Sequence, residues 1–248
     1  MKYFIITGTS RGLGQAIAEQ LISPDHYLFC ISRGEQQFSA SSGNIAPIAF
    51  DLKLVDQLEA LMERIFAEID LSKAEGIYLI NNASMIAPVS FIDAVNVNDI
   101  AHNFHVNLLA PIMLTSLFIK HTNNCKIPKR VINISSASVK NHHPGMSLYS
   151  AAKAGLDVFS QCAALEQKYN QAPVGIVSVW PGMIDTRLQQ EAREQDKAAF
   201  PSADIFGMAK AAGMLAAPAD TAQRIIEFLF KENFEHGAVV DLLGGAYE

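Results

Sequence analysis

The sequence predicts an α/β fold, a doubly wound parallel sheet of about seven strands with helices on both faces. Short β-rich runs alternate with longer helical segments along the chain, which is typical of βαβ units. Phe29, Cys30 and Ile31 form an apolar run without polar alternation, as expected of a strand that is covered on both faces. A glycine-rich turn directly follows the first β-rich run. These observations indicate a single Rossmann-type domain over residues 1–248.

Each predicted element rests on its own local pattern. Runs rich in β-branched and aromatic residues predict strands at 2–6, 27–31, 45–50, 76–80, 130–135, 174–179 and 238–242. Helical periodicity or good helix formers predict helices at 13–22, 55–69, 98–120, 148–169 and 221–230. The segment 187–218 interrupts this alternation with charges followed by aromatic residues and methionines, so we expect a substrate lid there.

Composition excludes several classes of function. The chain has 248 residues, of which 50% are hydrophobic and 18% charged, enough for a substantial core. Its net charge of -6 and scattered arginines argue against binding of nucleic acid. Cys30, Cys125 and Cys162 have neither disulfide-framework nor zinc spacing, so we expect no metal and a reduced setting.

The first residues and the length of the apolar runs bear on location. The chain enters its first apolar run at once and meets Gly8, which leaves no room for a signal peptide. No apolar stretch approaches the ~20 residues that span a bilayer. We therefore expect a cytoplasmic protein without a membrane partner.

The predicted helix 148–169 is apolar on most sides, with small and aliphatic residues such as Ala152, Leu156 and Ala163. A helix of this kind is buried on most sides, and the sheet can cover only one of them. We therefore expect a homodimer or homotetramer with this helix at the interface.

The turn at residues 7–14 contains Gly8, Gly12 and Gly14 between the first strand and the first helix. Glycines allow close approach of the backbone to a phosphate, and the start of a helix supplies free N–H groups. The spacing differs from the usual G-x-G-x-x-G pattern of dinucleotide sites, and a sharp loop without a ligand would also explain it. The position favours a site for a pyrophosphate.

The end of the second strand indicates which dinucleotide would bind. NAD sites tend to have an acidic residue there, whereas NADP sites place a cation near the 2′-phosphate. This chain has Arg33 at that place and Arg11 inside the glycine turn, so we expect NADP(H). Solvated arginines on loops are the alternative interpretation.

Tyr149, Lys153 and Ser136 are the candidate catalytic residues. Tyrosine and lysine four residues apart lie on the same face of a helix. A nearby ammonium favours the phenolate, so the pair suits acid and base chemistry on a carbonyl or an alcohol. The pair alone arises often by chance, and its meaning depends on the glycine turn upstream.

With these motifs in order, the chain resembles the short-chain dehydrogenase/reductase family over nearly its whole length. Within the family it looks most like the branch of sepiapterin reductases and bacterial benzil reductases, particularly in residues 105–111 and 129–136. The motifs that carry the resemblance are residues 7–14, Asp51-Leu52, Asn81-Asn82-Ala83-Ser84, Asn107, Ser135-Ser136, Tyr149, Lys153 and Pro181-Gly182.

The resemblance implies a role for each catalytic candidate. Tyr149 would be the general acid, and Lys153 would lower the Tyr149 pKa and hold the nicotinamide ribose. Ser136 would hydrogen-bond the carbonyl oxygen, and Asn107 would hold a water that connects Lys153 to solvent. The family's spacing of thirteen residues to the tyrosine selects Ser136 and leaves Ser135 as a strand residue.

The resemblance also implies the residues that contact the cofactor. Asp51 and Leu52 would edge the adenine pocket, although Asp51 also suits a helix cap. Asn82, Ala83 and Ser84 would line the inner side of the cofactor, and residues 181–186 would cover the nicotinamide. The full set is Gly8, Ser10, Arg11, Gly12, Leu13, Gly14, Arg33, Asp51, Leu52, Asn82, Ala83, Ser84, Tyr149, Lys153, Pro181, Gly182, Ile184 and Thr186.

The family pattern does not account for two features of the sequence. Ser84 stands where the family more often has glycine, so its side chain could crowd the cofactor or add a hydroxyl. His142 and His143 are adjacent on a polar loop, which suits a plain loop or the rim of a substrate site, and no third metal ligand is evident.

The sequence thus predicts an NADPH-dependent carbonyl reductase for a small, fairly apolar ketone or diketone. A 3-oxoacyl-thioester reductase is one alternative, but a basic patch for an acidic carrier protein is not evident. A non-catalytic NADP sensor is another, and the complete set of Ser136, Tyr149 and Lys153 argues against it because a sensor needs no proton donor.

Overall fold

A computed structural model describes residues 1–36, 38 and 44–243, and the backbone of 245–247. Its described strands form one sheet in the order β3-β2-β1-β4-β5-β6-β7-β8. Strands β1 to β7 are parallel, and β8 pairs antiparallel with β7. The strands are β1 Lys2–Thr7, β2 His26–Ser32, β3 Ile45–Ala49, β4 Gly76–Asn81, β5 Lys129–Ile134, β6 Gly175–Trp180, β7 Val239–Asp241 and β8 Gly245–Tyr247.

The sheet confirms the predicted α/β fold and its seven parallel strands. The eighth strand was not predicted, because three residues are too few to show an alternating pattern. Its pairing depends on the position of β7 and therefore on the folded sheet.

Helices cover both faces of this sheet. They are α1 Gly12–Leu21, α2 Leu58–Ala67, α3 Val97–Phe104, α4 Ala110–Thr122, α5 Ser147–Gln167, α6 Arg187–Arg193, α7 Ala203–Ala211 and α8 Pro218–Phe230. The segment predicted as one helix at 98–120 consists of α3 and α4 joined by a π-helical turn, His105–Leu109. Such turns occur frequently at functional sites, and this one contains Asn107.

Alternating strand residues divide the core between the two faces. Ile5 and Leu79 belong to the cluster beneath α2, α4 and α5. Phe4 and Ile80 belong to the opposite cluster beneath α1 and α8. Since both faces of the central strands are buried, the strands are apolar almost throughout, as the run in β2 indicates.

The sheet order places a crevice at the carboxyl ends of β1 and β4. The chain moves from β1 outward to β2 and β3, then returns to the other side of β1 and continues through β4, β5 and β6. Ligands of open α/β sheets bind at such a reversal. The glycine turn follows β1, and Asn82 follows β4, so both lie at this crevice.

The segment 187–218 follows β6, contains α6 and α7 and ends at the first residue of α8. Among the described residues, no helix is long and apolar enough to cross a membrane. The described residues also include no cluster of three or more His, Cys, Asp or Glu side chains suited to a metal ion.

Candidate active site

The glycine turn is closely packed against the loop that follows β4. Gly8 has φ of 77°, a conformation that side chains disfavour, and a Cβ there would lie 2.8 Å from the Ala83 Cα. A Cβ at Gly14 would come closer than 3.0 Å to the Gly8 carbonyl oxygen and to Asn82 Nδ2. Only glycine fits these two positions without a shift of the surrounding backbone. Leu13 is buried beneath the turn, and a Cβ at Gly12 would contact Thr186.

Asn82 fixes the turn from the neighbouring strand. Its Nδ2 donates to the Thr7 carbonyl at 2.9 Å and to the Gly8 carbonyl at 3.3 Å. The backbone N–H groups of Asn82 and Ala83 both donate to Thr7 Oγ1 at 3.0 Å. These bonds tie the ends of β1 and β4 together, and they give Asn82 a supporting role that its sequence motif does not reveal.

Arg11 and Arg33 are both exposed beside the turn. Within the described part of the chain, neither guanidinium takes part in an ion pair. Ser10 lies near the loop after β2, since a Cβ at Gly34 would be 3.8 Å from the Ser10 Cβ. The two cations are thus available to an anion at the end of β2.

Asp51 and Leu52 follow β3 at the same edge of the sheet. The Asp51 Oδ1 accepts a hydrogen bond from the Lys53 N–H at 3.0 Å, which is a local turn bond of the capping kind. Leu52 is buried. The structure therefore gives Asp51 a local turn bond, while its contact with an adenine stays a prediction.

Tyr149 and Lys153 lie side by side on α5, and both side chains are buried. The Lys153 Nζ is 5.8 Å from the centroid of the Tyr149 ring. It donates a hydrogen bond of 2.7 Å to the Ile134 carbonyl at the end of β5. An ammonium has three N–H donors, so further donors can serve a ligand. The bond to Ile134 thus places Lys153, and with it Tyr149, at the carboxyl end of β5.

Burial governs the proton affinity of both side chains. Burial raises the pKa of Tyr149, and hydrogen bonds from the hydroxyls of Ser136 and Ser84 oppose that rise. Burial lowers the pKa of Lys153 to about 8, and the charge of Asp157 opposes that decrease. An effect of Lys153 on the Tyr149 pKa stays a prediction.

Asp157 is a buried acid that the sequence motifs did not indicate. It lies one turn beyond Lys153 on α5 and is 5% exposed. Its Oδ2 accepts from the Trp180 indole N–H at 2.9 Å, and its Oδ1 accepts from the Ser178 hydroxyl. Burial raises the pKa of Asp157, and these bonds oppose the rise. The i,i+4 spacing from Lys153 was the available signal.

The two serines at the end of β5 have different contacts. The Ser135 hydroxyl donates to the Lys153 backbone carbonyl at 3.2 Å, so it holds α5 against the strand. The Ser136 Oγ accepts from the Ser138 N–H at 3.1 Å, and this hydroxyl opposes the rise in the Tyr149 pKa. The two serines thus differ in their contacts, and the role of Ser136 at a substrate carbonyl stays a prediction.

Asn107 is buried in the π-helical turn, and its side chain is fully engaged. The Oδ1 accepts from the Ser84 hydroxyl at 2.8 Å and from the Met85 N–H at 3.0 Å. The Nδ2 donates to the Met85 carbonyl at 2.7 Å and to the Asn103 Oδ1 at 2.9 Å. Asn103 was not among the predicted site residues, although its i,i+4 spacing from Asn107 in the predicted helix was an available signal.

The segment after β6 connects the crevice to the segment 187–218. Pro181 is buried, and Gly182 has φ of 83°. Ile184 pairs with Ala216 in an isolated parallel bridge. Asp185 forms ion pairs with Lys210 of α7 and, at 3.9 Å, with Arg193 of α6. The beginning and the end of the segment 187–218 are thus held to the residues predicted to cover a nicotinamide.

A third apolar cluster packs the segment 187–218 against Tyr149. It consists of Ile86, Val89, Met146, Tyr149, Ala192, Phe200 and Ala203, with Leu188 and Phe206 against it. His143 adds a polar contact, because its Nδ1 lies 3.0 Å from the Ser202 Oγ. Burial lowers the pKa of His143. His142 and His143 also line a groove of about 600 Å³ at the start of α5.

Comparisons with known proteins show the family of this chain. A family model described as short chain dehydrogenase matches residues 2–197. A benzil reductase ((S)-benzoin forming) of Bacillus cereus is 40% identical over 245 residues, covering 97% of this chain and 98% of the relative. Sepiapterin reductase of Mus musculus is 32% identical over 253 residues, covering 96% of this chain and 95% of the relative.

Solved structures share the fold over its full extent. The crystal structure of the KRED1-Pglu enzyme superposes with a TM-score of 0.81 at 25% identity, covering 97% of this chain and all of that one. The structure of 4-hydroxyisoleucine dehydrogenase complexed with NADH has a TM-score of 0.80 at 21% identity, covering 99% and 98% of the two chains.

Proposed function

Because the chain belongs to the short-chain dehydrogenase family, we propose that it is a carbonyl reductase that uses NADPH to reduce a ketone or diketone. One observation carries the proposal: Tyr149 is buried beside the Ser136 hydroxyl and the Lys153 ammonium, at the crevice next to the glycine turn. A proton donor with this environment suits a reaction in which a carbonyl oxygen becomes an alcohol.

The described residues fit a dinucleotide. The positions of Gly8 and Gly14 exclude a Cβ, and the turn leads into the N-terminus of α1, which favours a pyrophosphate. Arg11 and Arg33 supply two exposed cations for a 2′-phosphate. Residues 181–186 and Lys153 would hold the nicotinamide riboside, and Asp51 and Leu52 the adenine. When bound, the nicotinamide supplies the hydride.

Side chains of the protein would supply the proton that the reduced carbonyl needs. Tyr149 gives its hydroxyl proton to the carbonyl oxygen, and the Ser136 hydroxyl donates a hydrogen bond to the same oxygen as negative charge develops there. The Lys153 ammonium favours the resulting phenolate. Asn107 would hold a water that connects Lys153 to solvent, so that the tyrosine can regain its proton. Because the side chain of Asn107 is engaged by Ser84, Met85 and Asn103, its backbone would bind this water.

The substrate is proposed from the relatives and from the apolar cluster at Tyr149. The similar proteins from Bacillus cereus and Mus musculus bear the names of reductases for benzil and sepiapterin. Phe200 and Phe206 of the segment 187–218 give the neighbourhood of Tyr149 an apolar character, which suits an aromatic diketone. We assign this segment as the substrate lid.

Tyr149→Phe tests the activity directly. The variant lacks the proton donor, so we expect kcat for NADPH-dependent reduction of benzil to fall at least about 1,000-fold while NADPH still binds. Tyr169→Phe is the matched control, because Tyr169 is 93% exposed and should keep wild-type turnover. Retained turnover in Tyr149→Phe would contradict the mechanism.

Arg33→Asp tests the choice of cofactor. An aspartate repels a 2′-phosphate and suits a ribose 2′-hydroxyl, so the Michaelis constant for NADPH should rise about 100-fold while that for NADH changes little. Arg224→Asp makes the same charge change at an exposed position of α8 and should leave both constants unchanged. An unchanged NADPH/NADH preference in Arg33→Asp would contradict the assignment.

We also propose a homodimer or homotetramer in the cytoplasm. Val158 and Leu165 of α5 are 59% and 54% exposed, an apolar surface that a second copy could cover. Light scattering at micromolar concentration tests the assembly, and a monomer of 27.0 kDa would contradict it.

A further inference from the structure

Gln36 joins the loop after β2 to the glycine turn after β1. Its Nε2 donates a hydrogen bond of 2.7 Å to the Cys30 carbonyl, and its Oε1 accepts one of 2.7 Å from the Thr9 hydroxyl. A carboxamide donates only from its nitrogen, so the bond to the Cys30 carbonyl fixes the oxygen as the atom that meets Thr9. The amide of Gln36 thus bridges the backbone of β2 and a side chain of the turn.

Thr9 is the partner of Gln36 inside the glycine turn, and it is fully buried. Its hydroxyl lies 2.7 Å from the Gln36 Oε1 and 3.4 Å from the Ile31 carbonyl. A hydroxyl has one hydrogen, and the shorter distance identifies Gln36 as the main acceptor. Because Thr9 has no access to water, opening this bond would leave its hydroxyl with only the long contact to Ile31.

The loop that Gln36 holds contains the cation predicted to bind a 2′-phosphate. Arg33 lies three residues before Gln36, in a bend where the Ser32 hydroxyl donates to the Gly34 carbonyl at 2.9 Å. The exposed Glu35 also belongs to this loop. The conformation of the loop therefore decides whether a positive or a negative side chain lies toward an anion at the end of β2.

The other end of the link also lies close to a cation in the chain. Thr9 is two residues before Arg11, which is exposed at the start of α1. A Cβ at Gly34 would lie 3.8 Å from the Ser10 Cβ, so the loop and the turn come together here as well. The bond between Thr9 and Gln36 thus ties together the two segments that carry the arginines.

We propose that Gln36 is a positioning residue for cofactor choice, which holds the loop after β2 so that Arg33 and Arg11 flank one site for a 2′-phosphate. The inference rests on the proposed function, because it concerns the cofactor assigned there. A link made by the protein's own groups leaves less of the loop to be ordered on binding, and such preorganisation increases affinity. NADH has no 2′-phosphate, so its affinity should depend little on the link.

A purely structural role for Gln36 predicts a different result. If the link only supported the glycine turn, its loss would weaken both dinucleotides alike, since NADPH and NADH share the pyrophosphate that the turn would bind. A role in placing Arg33 predicts that NADPH alone is affected. The ratio of the two dissociation constants therefore separates these roles.

Gln36→Met tests the proposal, because methionine has a similar length and lacks the amide. In fluorescence titrations of the full chain, we expect the dissociation constant of NADPH to rise about tenfold and that of NADH less than about twofold. Gln20→Met is the matched control. The exposed Gln20 of α1 donates from its Nε2 to the Ala219 carbonyl at 2.8 Å, and loss of this amide should change neither constant.

The other half of the link has its own pair of variants. Thr9→Val removes the hydroxyl at nearly constant volume and should produce a similar loss for NADPH, whereas Thr9→Ser keeps the hydroxyl and should restore most of the affinity. The double variant Gln36→Met/Thr9→Val should bind NADPH about as well as the weaker single variant, because both changes remove the same link.

Calorimetry with two fragments measures the 2′-phosphate site without the nicotinamide. Adenosine 2′,5′-bisphosphate differs from AMP only by the 2′-phosphate, so the wild type should prefer the bisphosphate and Gln36→Met should lose most of that preference. A wild-type preference for NADPH that survives in Gln36→Met, or equal weakening of NADPH and NADH, would overturn the role of Gln36. Equal binding of NADPH and NADH by the wild-type protein would instead overturn the choice of NADPH in the proposed function, and the role of Gln36 with it.

Discussion

The glycine turn after β1 and the segment 187–218 both border the candidate active site, but different forces hold them. The turn depends on backbone proximity, since Gly8 and Gly14 have no room for a Cβ and Asn82 bonds directly to backbone carbonyls. The segment 187–218 depends on packing of Phe200 and on exposed ion pairs at Asp185.

This difference has consequences for how each region responds to change. Backbone cannot move locally without moving a strand end, so the turn should tolerate almost no added volume. Exposed ion pairs contribute little stability, and a small apolar cluster can separate from the core, so we expect the segment 187–218 to open and close more readily than the turn. We therefore expect a rigid region that holds the cofactor and an adaptable region that admits the substrate.

Gly14→Ala should have the largest effect. The added methyl collides with the Gly8 carbonyl and with Asn82, so the turn must shift. We expect a loss of about 3 kcal/mol in the free energy of unfolding and roughly a 100-fold weaker affinity for NADPH. Urea unfolding and fluorescence titration with NADPH measure the two effects. Wild-type affinity in this variant would show that the turn is not rigid.

Phe200→Ala should weaken the packing of the segment 187–218 and leave the glycine turn unchanged. Phe200 is fully buried, so its truncation should cost about 2 to 3 kcal/mol, at the low end for phenylalanine because a small cluster can partly collapse. The Michaelis constant for benzil should rise about tenfold while NADPH affinity stays near that of the wild type. Equal losses for substrate and cofactor would contradict the separation of the two regions.

Lys153→Met probes α5, which borders the candidate active site and lies outside both regions. In the folded protein the Lys153 pKa is lowered to about 8 from 10.5, so the unfolded chain binds more protons between these values. Lys153 therefore destabilises the fold below pH 8, and wild-type stability should rise as pH increases from 8 to 10.5. The variant should be more stable than the wild type by about 1 to 2 kcal/mol at neutral pH, with this advantage declining above pH 8. Urea unfolding across this pH range measures it, and a constant difference would contradict the pKa.

Gly207→Ala should have the smallest effect and is the matched control for Gly14→Ala. A Cβ at Gly207 of α7 meets no atom within 4 Å. Alanine favours a helix over glycine, so the variant should gain about 0.5 to 1 kcal/mol and bind NADPH normally. A loss of stability would show that α7 packs more tightly at Gly207 than the open space around its Cα indicates.

Particular residues show how far the sequence predictions reached. The seven parallel strands, the turn at Gly8 and the pairing of Tyr149 with Lys153 all follow from patterns within short stretches of chain, and the structure has each of them. The structure also has the start and end of α5 within two residues of the prediction. The π turn at Asn107 was missed, because an inserted residue leaves the apolar periodicity of the helix almost unchanged.

By itself, the sequence determined the α/β fold, the position of the glycine turn and the helix that carries Tyr149 and Lys153, because these depend on local periodicity and on the special geometry of glycine. Only the tertiary structure decided which groups surround them. Asp157 meets Ser178 and Trp180 across an element boundary, and Ser84 meets Asn107 from a different loop. Contacts between distant segments set burial and hydrogen bonding, and these in turn set the pKa of Tyr149 and of Lys153.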